Sequence, residues 1–216
     1  MQKLTVSSKH KLVAVPFEDN LASMFPAAQH MELGGETHLL IPHEPTPAFI
    51  LRKLGFDVPS PILTSYDWPH PANNPPFEAQ RNTAAMLTMN TRAYVLNGMG
   101  TGKTRAALWA LDYLQSNKLC GKALVFAPLS TLTFVWQREV FTTIPGRKCV
   151  VLHGTREKRL EKLKEDADIY VVNHDGFGVI EEEVRKRTDI DIVIIDELAV
   201  SRNPTARTKR ITKFRF

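Results

Sequence analysis

Eight residues constrain this chain more than any other stretch: Asn97-Gly98-Met99-Gly100-Thr101-Gly102-Lys103-Thr104. They follow the apolar run Ala93-Tyr94-Val95-Leu96, which reads as a buried strand. They precede Arg105 to Leu114, which reads as a helix. A glycine-rich turn between strand and helix is the setting that a phosphate-binding loop requires. Glycines let backbone N–H groups wrap an anion without Cβ clashes, and the helix N-terminus adds its dipole at the same spot. Gly98, Gly100, Thr101 and Gly102 are therefore the expected cradle. Lys103 is expected to reach the β- and γ-phosphates of a nucleotide, and the Thr104 hydroxyl to hold Mg²⁺. Asn97 departs from the strict G-x-x-x-x-G-K-[ST] pattern, which wants glycine there. The bland alternative is a glycine turn that only starts a helix.

The chain around this loop predicts an α/β fold. Phe77 to Met89 has a helical pattern with Ala79, Thr83, Met86 and Leu87 on one side. Strands are expected at Lys122–Ala127, Cys149–Leu152, Asp168–Val172 and Ile190–Ile195. Helices are expected between them, at Leu132–Phe141, Arg156–Glu165 and Phe177–Arg187. Strands alternating with helices of this length indicate a parallel sheet covered on both faces. In such a sheet ligands bind at the carboxyl ends of the strands. Asp196-Glu197 ends the most apolar strand, so Asp196 is expected on the same edge as the glycine loop. A carboxylate there can hold Mg²⁺ through water, and Glu197 can orient or deprotonate an attacking water. Capping of a following helix is the alternative use of such a pair.

The first 57 residues have a different character. Lys11–Val15 and His38–Ile41 read as strands, Glu18–Met31 and Thr46–Gly55 as helices, together a small α+β module without a catalytic constellation. Pro59, Pro61, Pro69, Pro71, Pro75 and Pro76 crowd the next stretch, and proline at that density opposes helix and central strand alike. Residues 58–75 are therefore expected to be an extended linker, with Tyr66 and Trp68 pinning it to a domain surface. Residues 76–216 form the nucleotide-binding domain in this reading. No run approaches a membrane span of about 20 apolar residues. The two cysteines, Cys120 and Cys149, lack metal-ligand spacing, and no secretory signal is visible, so an intracellular protein is expected, in cytoplasm, nucleoid or nucleus. A net charge of +5 allows a polyanionic partner without demanding one.

The loop and the acidic pair together resemble superfamily-two helicases and translocases, most closely the SWI/SNF-type branch. That branch reads D-E-M-G-x-G-K-T where this chain reads NGMGTGKT, so it also lacks the first glycine. Ala127 to Val140 resembles the branch's C-P-x-S-x-x-x-x-W-x-x-E segment, with one extra residue before Trp136. Val151-Leu152-His153-Gly154 resembles its strand ending in H-G. Tyr170 to Asp175 resembles its segment ending in T-Y-E or N-Y-D. Asp196 to Arg210 resembles D-E-A-H-x-x-K-N-x-x-[ST], with Leu198-Ala199 in place of Ala-His.

The resemblance implies a RecA-like lobe that binds ATP and Mg²⁺ and acts on DNA, with RNA as the alternative. It implies adenine recognition by Phe77 and Gln80, since an amide can meet both edges of the base. It implies contact of Ser130 and Thr131 with the phosphates of a DNA strand. Plainer roles exist: Gln80 as an exposed residue at a helix start, Ser130 as an N-cap, Trp136 as core, and the basic tail from Arg202 to Arg215 as a solvated face. The family's second lobe and its arginine fingers have no counterpart before Phe216, so slow hydrolysis is expected. Strand, helix, strand, helix and then LGFDVPSPI more faintly resembles the small module that precedes the motor in HARP-type annealing helicases, which implies that the first 57 residues bind DNA; a packing accessory is the alternative. The competing function class is a non-catalytic DNA- or protein-binding module that keeps the nucleotide fold.

Overall fold

The computed structural model describes residues 4–197. These form two compact units, one within residues 4–68 and 77–98 and the other within 69–76 and 99–197.

The first unit is built on an antiparallel sheet. Its elements are β1 (Thr5–Ser7), β2 (Leu12–Pro16), α1 (Asp19–Met24), β3 (Gln29–Leu33), β4 (Glu36–Pro42), α2 (Pro45–Lys53), α3 (Ile62–Ser65) and α4 (Glu78–Thr88). The strand order is β1-β2-β4-β3. One face carries Val13, Val15, Leu39 and Ile41, fully buried against Leu21, Ala48, Leu51, Phe56 and Val58. Each such side chain contributes roughly 1.5–3 kcal/mol of burial free energy. The predicted helix over Glu18–Met31 stops at Met24, and Gln29–Leu33 becomes a strand instead. The cause is the pair Gly34-Gly35. Both have positive φ, 61° and 85°, and close a two-residue hairpin that pairs Leu33 with Glu36. Proline did not keep the next stretch fully extended. Ile62–Ser65 forms a helical turn, and Val58, Ile62 and Trp68 are buried.

The second unit is a parallel sheet. After α5 (Lys103–Ser116) come β5 (Lys122–Ala127), α6 (Arg138–Thr143), β6 (Cys149–Leu152), α7 (Arg156–Leu163), β7 (Ile169–Asn173), α8 (His174–Phe177), α9 (Glu181–Arg185) and β8 (Ile190–Ile195). The order is β6-β7-β5-β8. The four predicted strands are all present. β5 and β7, paired on both sides, are almost wholly buried, as their unbroken apolar runs require. Between β5 and α6 the chain makes a 3₁₀ turn over Leu129–Thr131 and a π-helical turn over Leu132–Gln137. The extra residue before Trp136 falls in that π turn, which accommodates insertions within a helix. The predicted helix Phe177–Arg187 shortens to α9, and α8 ends where it was expected to begin.

One expectation is corrected outright. Ala93–Leu96 is not a buried strand: among the described residues it pairs with nothing in a sheet, and Tyr94 and Leu96 are 73% and 89% exposed. Four apolar residues specify a buried parallel strand only where neighbours satisfy the backbone on both edges.

Candidate nucleotide and nucleic-acid site

The glycine loop enters α5 through two left-handed residues. Gly100 has φ 74°, and Gly102, the N-cap, has φ 74° and ψ 32°. A Cβ at Gly100 would meet nothing within 4 Å, so the backbone conformation and not crowding requires glycine there. Lys103 and Thr104 are the first two helical residues, and no acid occupies the first turn. Fourteen residues give a helix about 21 Å long, whose N-terminal N–H groups and dipole favour an anion at the loop. The helix is firmly anchored. Leu108, Trp109 and Leu111 are buried, Trp109 Nε1 donates to the Pro69 carbonyl at 2.6 Å, and ion pairs join Arg105 to Glu139 and Asp112 to Arg147. Asn97 Nδ2 donates to Thr83 Oγ1 at 3.1 Å in the first unit.

Asp196 lies just past β8. Its backbone N–H donates to the Phe126 carbonyl at 2.8 Å, continuing the pairing with β5. Its Oδ2 accepts from the indole Nε1 of Trp136 at 2.9 Å. Trp136 is 1% exposed, so it is core, and its single polar atom orients the carboxylate. Spacing alone did not announce this bond, which joins residues 60 apart. Glu197 is exposed with φ 60°.

Gln80 is not the exposed residue that a plain helix start would present. It is 6% exposed, and its Oε1 accepts from Phe77 N at 3.0 Å, capping α4. Phe77 itself is 64% exposed. The buried side of α4 is Gln80, Thr83, Ala84 and Ala85, rotated from the predicted face, and Met86 points outward. Ser130 and Thr131 lie in the 3₁₀ turn after β5. Thr131 Oγ1 donates to the Pro128 carbonyl at 3.0 Å, and Ser130 is exposed and caps nothing.

A residue that sequence reasoning passed over organises the neighbouring loops. Arg159, 7% exposed, donates to the Leu152 carbonyl, to the Gly154 carbonyl at 2.8 Å and to Asn173 Oδ1 at 3.1 Å. It thereby ties the His153-Gly154 segment to the Asn173–Asp175 segment. A Cβ at Gly176 would lie 2.3 Å from both Arg159 Nη1 and Asn173 Oδ1, so any side chain there would displace that hydrogen-bonded pair. The tail Leu198–Arg210 and the basic residues Arg202 to Arg215 lie outside the described residues.

A family model for the DEAD/DEAH box helicase matches residues 77–210. The chain belongs to the DEAD/DEAH box helicase family. Within it, 63 residues are 40% identical to the ATP-dependent DNA helicase DDM1 of Arabidopsis thaliana, covering 29% of this chain and 8% of that protein. The fold is similar to that of the Sulfolobus solfataricus SWI2/SNF2 ATPase core, solved in complex with dsDNA. The TM-score is 0.57 at 20% identity, over 68% of this chain and 31% of that one. At that identity the likeness is one of fold. The chain thus spans a minor part of either relative. The reading of a superfamily-two helicase is borne out in family, and that of a RecA-like α/β fold in structure; the likeness to DDM1 and to the SWI2/SNF2 core supports the SWI/SNF-type branch. Among the described residues no helix is long and apolar enough to cross a membrane, and no group of three His, Cys, Asp or Glu could hold a metal ion.

Proposed function

We propose that this chain is the ATP-binding first lobe of a DNA-dependent ATPase that translocates on, and remodels, duplex or forked DNA. The observation that carries the reading is the glycine loop: two left-handed glycines deliver Lys103 and Thr104 to the N-terminus of a long, well-anchored helix with no acid in its first turn. Such an arrangement favours an anion and supports the reading. In this reading Gly98, Gly100, Thr101 and Gly102 present N–H groups to the phosphates, and Lys103 adds its charge. Mg²⁺, which keeps most of its water, needs few protein ligands, and the Thr104 hydroxyl with the Trp136-oriented carboxylate of Asp196 fits that need. Bound there, it would neutralise charge between the β- and γ-phosphates. Glu197 orients or deprotonates water.

Phe77 and Gln80 serve the adenine. Ser130 and Thr131 meet the phosphates of a DNA strand. Residues 76–216 carry this catalytic half, with residues 1–57 as a HARP-like accessory module and 58–75 joining them. Hydrolysis at speed then needs a second lobe.

The test is titration of a fluorescent ATP analogue with Mg²⁺ into wild type and Lys103→Ala. A charge-assisted hydrogen bond is worth about 1.5–3 kcal/mol. The variant should therefore bind at least tenfold more weakly. Equal affinities would remove the assignment.

A further inference from the structure

A cavity of about 280 Å³ opens on the first unit, where the last turn of α2 meets the chain leaving α4. Arg52 and Lys53 line one side and Arg92 the other, with Asn90, Thr91 and the ring of Phe49 between them. Buried Met89 forms part of its lining and ties the site to the core of this unit.

The three cations are not explained by the helix alone. Arg52 and Lys53 offset the negative end of the α2 dipole. Arg92 belongs to a different segment and converges on the same space. Among the described residues no carboxylate lines the cavity. In the second unit, by contrast, Arg105, Arg147 and Arg187 each sit against an acid. Nor is the first unit basic as a whole: over residues 1–68 and 77–98, seven Lys and Arg face eight Asp and Glu. Three of those seven gather at one concavity. Like charges brought together repel, and an anion placed among them reverses the sign.

The other lining groups narrow the ligand. Asn90 Nδ2 donates to the Met86 carbonyl at 2.7 Å, which fixes the amide at the rim. Phe49 is 36% exposed, and the Lys53 ammonium lies 5.3 Å from its ring centre. A cation beside an accessible aromatic face is the pairing that takes a phosphate and a stacked base together. Pockets for free small molecules run about 300–1,000 Å³ with mostly apolar walls. This one lies at the bottom of that range and is cationic.

We infer that the cavity binds the backbone of single-stranded DNA, with Arg52, Lys53 and Arg92 on phosphate and Phe49 under a base. The inference rests on the reading of the chain as part of a DNA-dependent ATPase and assigns the first compact unit, residues 4–68 with 77–98, a DNA-binding surface of its own.

The experiment is fluorescence anisotropy of the full 216-residue chain with a labelled single-stranded oligonucleotide across a salt series. The variants are Arg52→Gln/Arg92→Gln, the charge-keeping Arg52→Lys/Arg92→Lys, Phe49→Leu, and a control, Lys9→Gln/Lys11→Gln, on the turn after β1. The Gln pair should weaken binding at least tenfold and flatten the log–log salt slope by about 0.7 for each phosphate no longer neutralised. The Lys pair should restore most of that slope. Phe49→Leu should weaken binding with the slope unchanged, and the control should stay within twofold. Unchanged affinity for the Gln pair, or an equal loss in the control, would overturn the site. So would a wild type that binds no single strand at low salt. Affinity for the ATP analogue is measured on the same proteins. If the Gln pair binds DNA like wild type while Lys103→Ala loses ATP, the cavity fails and the ATPase reading stands. If Lys103→Ala keeps ATP, the ATPase reading fails by itself.

Discussion

The carboxylate of Asp196 is oriented by the indole of a fully buried tryptophan 60 positions earlier. A hydrogen bond to a charged group contributes about 1.5–3 kcal/mol. Trp136→Phe removes that donor and leaves a small void, and it should lower stability by about 2–3 kcal/mol. Asp196→Asn keeps an acceptor for the indole and should lose under about 1 kcal/mol. Urea unfolding of both variants checks this, and equal losses would deny the bond its part. The cysteines make a second residue-level case. Burial pushes both thiols up to about 12, and at Cys120 the Asp191 carboxylate adds to the effect. The thiolate is the reactive form, so both should resist iodoacetamide at about pH 8 in the native chain and react readily in urea. Mass spectrometry of the alkylated protein reads this out, and rapid native labelling would contradict it.

Between elements, the turn from α9 into β8 is clamped by charge. Arg187 forms a two-pronged pair with Asp189 at 2.6 Å for each bond. The same guanidinium donates to the Leu163 carbonyl at 2.7 Å and lies over the Tyr170 ring. The Arg187 hydrogen bonds hold the Asp189 carboxyl well below the usual carboxylate range. Since the folded chain prefers the charged form, the contribution is present above the unfolded value of about 3.9 and is lost as pH falls below it. The stability gap between wild type and Asp189→Asn should therefore be widest near neutral pH and shrink as the pH drops under about 3.9. Asp189 is partly exposed, so solvent screening keeps the gap small. Urea midpoints from about pH 2 to about pH 7 measure it, and a gap that grew on acidification would refute the clamp.

At the scale of the molecule, the reading of these 216 residues as a single lobe sets the expected turnover. Related phosphate-loop enzymes gain roughly 10³–10⁵ in rate from an arginine finger. The chain should bind the ATP analogue yet release phosphate far more slowly than about 1 s⁻¹, with or without duplex DNA. A phosphate-release assay decides it, and DNA-stimulated turnover near that rate would show the catalytic set to be complete.

Much of this was legible in the order of residues, for a local reason. The unbroken apolar runs of β5 and β7 can only be strands buried on both faces. Gly100 and Gly102 precede Lys103 because only glycine turns the backbone left-handed there without strain. Even the β3–β4 hairpin was written in Gly34-Gly35, although the apolar spacing before it suggested a helix. Other features depended on partners far away in the chain. Ala93–Leu96 has the composition of a buried strand but forms none, because strand pairing needs a neighbour that a four-residue run cannot name. Arg159 looked like one charge on an amphipathic helix, and only the fold brought three acceptors around it. Trp136 found Asp196, and Arg92 joined Arg52, across chain separations that periodicity does not encode. Local backbone preference and hydrophobic period are properties of neighbouring residues, so the sequence by itself determined the elements and the loop. Which side chains meet is settled only when the sheet orders its strands, and there the tertiary structure decided.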